Sequence, residues 1–141
     1  MTDTNRAWLF AKKAHAGQVD DEGLPYFEAH ILHVVRILRA AGCSDEVIAA
    51  GFLHDTVEDC GIDYPTLVMN FGKTVANLVM EVTHEGEPDH HGYYFPRLKT
   101  RDGIVLKLAD RLSNITRMES WTPARREHYL KKTHFWKETE E

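Results

Sequence analysis

The stretch Val47-Ile48-Ala49-Ala50-Gly51-Phe52-Leu53-His54-Asp55-Thr56-Val57-Glu58-Asp59 decides how this chain is read. Ser44 stands ahead of it, able to accept a bond from the first free amides of a helix, with Asp45 and Glu46 placed favourably against the helix dipole. The expected helix runs to about Asp59, and its apolar lead-in predicts burial over much of its girth. Its last six positions carry His54, Asp55, Glu58 and Asp59. In an unbroken helix Glu58 falls one turn from both His54 and Asp55, and Asp59 one turn from Asp55, so an imidazole and three carboxylates share a face. Buried without partners, such carboxylates cost on the order of several kcal/mol each, whereas a divalent cation turns their repulsion into coordination. The competing reading is a surface helix end with a dispensable acidic cluster.

Helix is the expectation on either side as well. Alternating strand patterns, repeats and low-complexity runs are missing from the sequence. A first helix is expected over about 4–16, ending near Gly17, and an acidic loop with Gly23 and Pro25 follows. A second helix at about 28–41 stops at Gly42 and carries a Leu32, Val35, Ile37 and Leu38 stripe toward the core. Short helices are expected at 63–71, with Pro65 near the first turn, and at about 73–83, separated by Gly72. The 84–94 stretch, with Gly86, Pro88 and Gly92, is the expected mobile loop. The spacing of Ile104, Leu108, Leu112 and Ile115 predicts a helix from Arg101 or Asp102 to about Ser120, and Thr122-Pro123 starts a last one. The expected fold class is all-α: one domain over residues 1–141, a compact bundle of six to seven helices.

Bulk properties narrow the function. A chain of 141 residues can bury roughly 68–70% of its unfolded surface without disulfides. Cys43 and Cys60 lack CxxC spacing and are read as reduced and structural. Apolar runs are far too short to span a bilayer and Met1 to Arg6 is unlike a signal peptide, so the expectation is a cytoplasmic protein without membrane partners. The net charge of −5 argues against nucleic-acid binding. That mean hides an asymmetry, because residues 97–137 hold 11 of the 17 basic side chains. Solvated helix faces are one explanation, and flanks for an anionic substrate beside a metal are the other.

Two further segments carry candidate chemistry. In Leu106-Lys107-Leu108-Ala109-Asp110-Arg111-Leu112-Ser113-Asn114, Asp110 interrupts an apolar run and Asn114 sits one turn later on the same face. A buried Asp110 needs a partner, whether a metal or a nearby Lys or Arg. On the second helix His30 and His33 are candidates between which spacing alone does not choose. Trp8, Trp121 and Trp136 are read as core or pocket walls.

Together these segments resemble the HD superfamily of metal-dependent phosphohydrolases, and within it the hydrolase domain of RelA/SpoT-type enzymes and small alarmone hydrolases. Ala14-His15-Ala16-Gly17-Gln18 resembles the entry motif, and Pro25-Tyr26 precedes the first metal histidine. Leu53 to Asp59 resembles HDxxED, Leu106 to Asn114 resembles KLADRLxN, and Phe71-Gly72 with Val82-Thr83 resembles the connecting region.

The resemblance implies one divalent ion held by His30, His54, Asp55 and Asp110, with His30 selected over His33 by the stripe that follows it. It favours manganese, with iron or zinc compatible with the mixed ligands. It gives Glu58 and Asp59 the handling of the attacking water and Asn114 a substrate contact. The implied activity is hydrolysis of a pyrophosphate or phosphate group from a nucleotide such as guanosine 3′,5′-bis(diphosphate). Hydrolysis of another nucleotide or small phosphoester is the alternative within enzymes, and a catalytically silent nucleotide sensor the alternative outside them.

Two departures bear on substrate. Asp20 and Asp21 stand where alarmone hydrolases carry a basic pair, and one extra residue separates Tyr26 from His30. The tail offers Tyr129, Lys131, Lys132 and His134, onto which the family's late substrate contacts do not map one to one. His84, His90 and His91 make a second metal conceivable.

Overall fold

Eight helical segments dominate the residues that the computed structural model describes, 3–83, 98–117 and 121–132. They are α1 (Asp3–Ala14), α2 (Phe27–Ala40), α3 (Asp45–Leu53), α4 (Thr56–Cys60), α5 (Tyr64–Phe71), α6 (Lys73–Val82), α7 (Arg101–Ile115) and α8 (Pro123–Lys132). Counting α3 and α4 as halves of one interrupted helix leaves seven, within the expected range. No strand occurs among the described residues, only an isolated antiparallel bridge between Val19 and Pro25 in the loop after α1. The 84–94 loop with His84, His90 and His91 lies outside the described residues, as do His134, Trp136 and the side chains of Lys131 and Lys132.

Helix α3 is the hub, packing against α1, α2, α6 and α7. Every residue from Val47 to Leu53 is buried, the pattern of a helix apolar all round. Burying a side chain such as Phe52 or Leu53 contributes about 1.5–3 kcal/mol each. Gly51 sets the closeness of α2 to α3, because a Cβ there would lie 2.5 Å from Leu38 Cδ1. Caps fix where helices start. Ser44 Oγ accepts from Val47 N, as expected, and so do the side chains of Asp63 from Thr66 N, Thr100 from Gly103 N, and Thr122 from Arg125 N.

Three elements differ from expectation. The helix read as continuous to Asp59 breaks at His54–Asp55, where Asp55 takes φ −101° and ψ 1°, and resumes as α4. Glu58 and Asp59 consequently escape burial and are exposed. The second helix opens with a π turn over Phe27–Ile31, in which Leu32 N bonds to Phe27 O, five residues back. One extra residue between Tyr26 and His30 is what a π turn accommodates without changing the helix phase on either side. Finally, α7 ends at Ile115, and its Ile104, Leu108, Leu112 and Ile115 stripe is 36–48% exposed. The buried face of α7 is instead Gly103, Leu106, Lys107, Ala109, Asp110, Arg111 and Ser113. Glu81 of α6 anchors this orientation by accepting bonds from Lys99 N and Thr100 N, and a Cβ on Gly103 would collide with its carboxylate.

Candidate active site

Four of the expected residues converge although they come from three parts of the sequence. His30 is carried by the π turn of α2, His54 and Asp55 by the break between α3 and α4, and Asp110 by the buried face of α7. Each offers one ligand atom, and all four atoms lie within 4.8 Å of one another. His30 Nε2 is 2.9 Å from Asp110 Oδ1 and 3.5 Å from Asp55 Oδ2, while His54 Nε2 is 3.2 Å from each of the same oxygens. The cluster could hold a divalent cation. Two carboxylates would neutralise it and two imidazoles would complete a borderline donor set.

The outer contacts orient both rings. His54 Nδ1 lies 2.7 Å from the carbonyl oxygen of Gly51, which only accepts, so Nδ1 carries the proton and Nε2 faces the cluster. His30 Nδ1 lies 3.0 Å from Ser113 Oγ, and that hydroxyl is 3.1 Å from His33 Nδ1. His30 therefore points into the cluster and His33 lies on the far side of Ser113. Asp110 has the nearby lysine that is one of the two partners expected for it, because Oδ2 accepts from Lys107 Nζ at 3.3 Å while Oδ1 faces the histidines. Tyr26 OH donates to Asp55 Oδ2 at 2.6 Å.

Electrostatics favours positive charge here. Burial acts to lower the pKa of His54, but the Asp55 and Asp110 carboxylates outweigh it and hold it well above the ordinary imidazole value. Burial would raise Asp55 and Asp110, yet both are depressed, Asp55 by His54 and Asp110 by Lys107 and the two histidines. Burial, reinforced by Asp55, pushes the Tyr26 phenol far up, so it stays a donor.

Over the cluster lies a small cavity of about 170 Å³, lined by Tyr26, Asp55, Glu58, Asp59, Lys107, Asp110, Arg111, Asn114 and Tyr129. Glu58 and Asp59 thus reach the site from its mouth, not as members of a buried helix face. Burial and the Asp55 charge raise the pKa of the Asp59 carboxyl, opposed by a bond from Gln18. Asn114 Nδ2 donates to Tyr129 OH at 2.8 Å and Arg117 donates to Asn114 Oδ1 at 2.9 Å, so Asn114 is held on both sides of its amide.

A second cavity of about 430 Å³ shares Tyr26, Asn114 and Tyr129 with the first and continues past Trp121, Arg117 and Arg125 to Asp20 and Asp21. Asp20 accepts from Glu22 N, Leu24 N and Arg117, and Asp21 pairs with Arg125, whose guanidinium lies 3.8 Å from the Trp121 ring centroid. Sequence reading reached Lys107 and Arg111 only as members of the basic segment and did not single out Tyr26, Lys107, Arg111 and Ser113 as members of the site. The signal for the last three was present, since each lies within one turn of Asp110 on α7.

The comparisons with known proteins follow this geometry. A family model described as HD domain matches residues 7–89, more than half of the chain. A probable guanosine-3′,5′-bis(diphosphate) 3′-pyrophosphohydrolase of Synechocystis sp. is 36% identical over 139 residues, covering 91% of this chain and 18% of its own length. The guanosine-3′,5′-bis(diphosphate) 3′-pyrophosphohydrolase of Aquifex aeolicus is 34% identical over 139 residues, covering 93% and 20%. A probable chloroplastic GTP diphosphokinase of Arabidopsis thaliana is 30% identical over 141 residues, covering 91% and 20%. The chain spans about a fifth of the length of these curated relatives. A solved structure described as a metazoan ortholog of SpoT that hydrolyzes ppGpp superposes with a TM-score of 0.77 at 25% identity, covering 92% of this chain and 80% of that one. A helical bundle of this shape, with paired histidines and aspartates at its centre and a family model across more than half its length, places the chain in the HD domain family.

Proposed function

We propose that residues 1–141 form one metal-dependent hydrolase domain that removes pyrophosphate from a nucleotide of the guanosine 3′,5′-bis(diphosphate) class. The observation that carries this reading is the convergence of His30, His54, Asp55 and Asp110 beneath a cavity rimmed by Glu58 and Asp59. His30, His54, Asp55 and Asp110 would hold the ion, with manganese favoured. When bound, it supplies charge neutralisation for phosphoryl oxygens and a polarised water.

The chain's own groups do the rest. Asp59, its carboxyl raised above the ordinary value by burial and the Asp55 charge, and Glu58 beside it are the pair that takes the proton from the attacking water. Lys107 and Arg111 bring two buried cations to the same cavity, where they offset charge on the pyrophosphoryl group as it passes from the ribose oxygen, the leaving group, to the attacking water. Tyr129, Asn114 and Trp121 line the adjoining cavity, a wall of aromatic and amide groups suited to a base and ribose. The two pyrophosphohydrolase relatives and the ppGpp-hydrolyzing structural neighbour support the substrate class. A cytoplasmic location is proposed with it, no described helix being long and apolar enough to cross a membrane.

A second reading, hydrolysis of a different nucleotide, is favoured by Asp20 and Asp21 on the wall of the second cavity. The test is a turnover screen of manganese-loaded protein against nucleotides bearing 3′ or 5′ pyrophosphates and against simple phosphomonoesters. Release of pyrophosphate from guanosine 3′,5′-bis(diphosphate) at the highest kcat/KM is expected. Turnover confined to phosphomonoesters would overturn the assignment, and turnover of another pyrophosphorylated nucleotide would select the second reading.

A further inference from the structure

We infer that Gln18, held by His15, is a positioning residue for Asp59, an inference that rests on the assignment of Asp59 to the attacking water. His15 follows the end of α1 and is 2% exposed, with its ring tilted against Tyr26 at 5.4 Å between centroids. Its Nδ1 lies 2.7 Å from Gln18 Oε1, and Gln18 Nε2 donates to Asp59 Oδ2 at 3.2 Å. Gln18 is itself fixed through its backbone, since its N bonds to His15 O and its carbonyl accepts from Tyr26 N. The loop that presents Tyr26 to Asp55 thus presents Gln18 to Asp59.

The amide can serve Asp59 in one orientation only. Rotated by half a turn, its oxygen would face a carboxylate, so Nε2 faces Asp59 and Oε1 faces His15. That arrangement requires a donor at His15 Nδ1. Cys60 Sγ lies 3.4 Å from the same nitrogen, and burial, with the Asp59 and Asp55 charges, pushes its thiol up to about 11. The thiol stays neutral and adds no competing anion. Asp59 is exposed and sits on the short helix α4, so nothing in its own helix fixes its rotamer. One charge-assisted bond from a half-buried, doubly anchored amide turns a surface carboxylate toward the cluster.

The experiment measures kcat, KM, bound metal and the side-chain amide signals of Gln18 in manganese-free and manganese-loaded protein. Gln18→Ala is expected to lower kcat about tenfold with KM and metal content unchanged. On an Asp59→Asn background the same change should cost less than about twofold, because the group it serves is already gone. His15→Asn keeps a donor near the Nδ1 position and is expected to retain most turnover, whereas His15→Leu should lose as much as Gln18→Ala. In manganese-free protein the Gln18 amide protons should shift on Asp59→Asn and on His15→Leu. Equal losses from Gln18→Ala in both backgrounds, or loss of metal in Gln18→Ala, would overturn the inference. Wild-type turnover in Asp59→Asn would remove Asp59 from the chemistry and the inference with it, whereas an impaired Asp59→Asn beside an unimpaired Gln18→Ala removes the inference alone.

Discussion

Single atoms separate holding an ion from using it. His54 Nε2 and the facing oxygens of Asp55 and Asp110 form the cluster itself, so His54→Ala or Asp55→Ala should abolish the roughly one equivalent of tightly held divalent ion, read by metal analysis, while circular dichroism stays helical. Tyr26 stands one bond further out. Its hydroxyl donates to Asp55 Oδ2, and Tyr26→Phe should weaken metal affinity by about 10- to 100-fold, the usual worth of an outer-shell partner. Glu58 is different in kind because it lines the cavity without joining the four clustered ligand atoms. Glu58→Gln should retain metal and substrate affinity and lose about 10²- to 10⁴-fold in kcat, as expected of a positioned general base. Metal loss in that variant would make Glu58 a ligand, and unchanged turnover would remove it from the mechanism.

Two elements show how irregular backbone builds this site. A continuous helix through His54 and Asp55 would keep Glu58 and Asp59 in line with the buried face of α3; the break sends them to the cavity mouth. In α2 the π turn absorbs an extra residue ahead of His30. Deleting the exposed Glu28 should convert it to an ordinary turn with flanking phases kept, so the variant should fold and hold its metal. Loss of both would show that the π geometry itself places His30. The break at His54–Asp55 was not legible in the sequence, and the extra residue ahead of His30 signalled an altered helix entry but not its π geometry, because helical periodicity records which residues are apolar and not where one hydrogen bond skips a residue. The convergence of His30, His54, Asp55 and Asp110 was legible through the ordered motifs around them. The orientation of α7 was not, since Ile104, Leu108, Leu112 and Ile115 carry the right spacing but face outward. What turns the helix is polar: Glu81 at its first turn, and Lys107 and Asp110 drawn inward to the cluster.

Across the whole molecule, Arg117 and Arg125 of the basic segment meet the acidic loop after α1 at the second cavity, and under the proposed function this meeting sets how an anionic substrate would be received. Asp20 and Asp21 do not act alike there. Asp20 ties down its own loop through Glu22 N and Leu24 N and reaches Arg117, and although burial acts to raise its pKa, these bonds hold it below the ordinary carboxylate value. A depressed pKa contributes stability that is present above about pH 4 and lost as pH falls through the folded value. Asp20→Asn should therefore melt lower than wild type at pH 7, with the gap closing at more acidic pH. A gap that persists there would assign the effect to shape and not to charge. Asp21 is exposed, and its partner Arg125 lies over Trp121 at the cavity wall. Such a surface pair contributes little to stability, so Asp21→Asn should leave the melting temperature unchanged while freeing the Arg125 guanidinium for a phosphate. The expected outcome is a KM for guanosine 3′,5′-bis(diphosphate) lowered roughly three- to tenfold with kcat unchanged, because the new contact is made equally in ground and transition states. The gain should shrink as salt rises, since the site is exposed enough to be screened. Steady-state kinetics at two ionic strengths reads both effects. An unchanged KM would mean that Arg125 does not reach the substrate and that the acidic pair is no barrier to it.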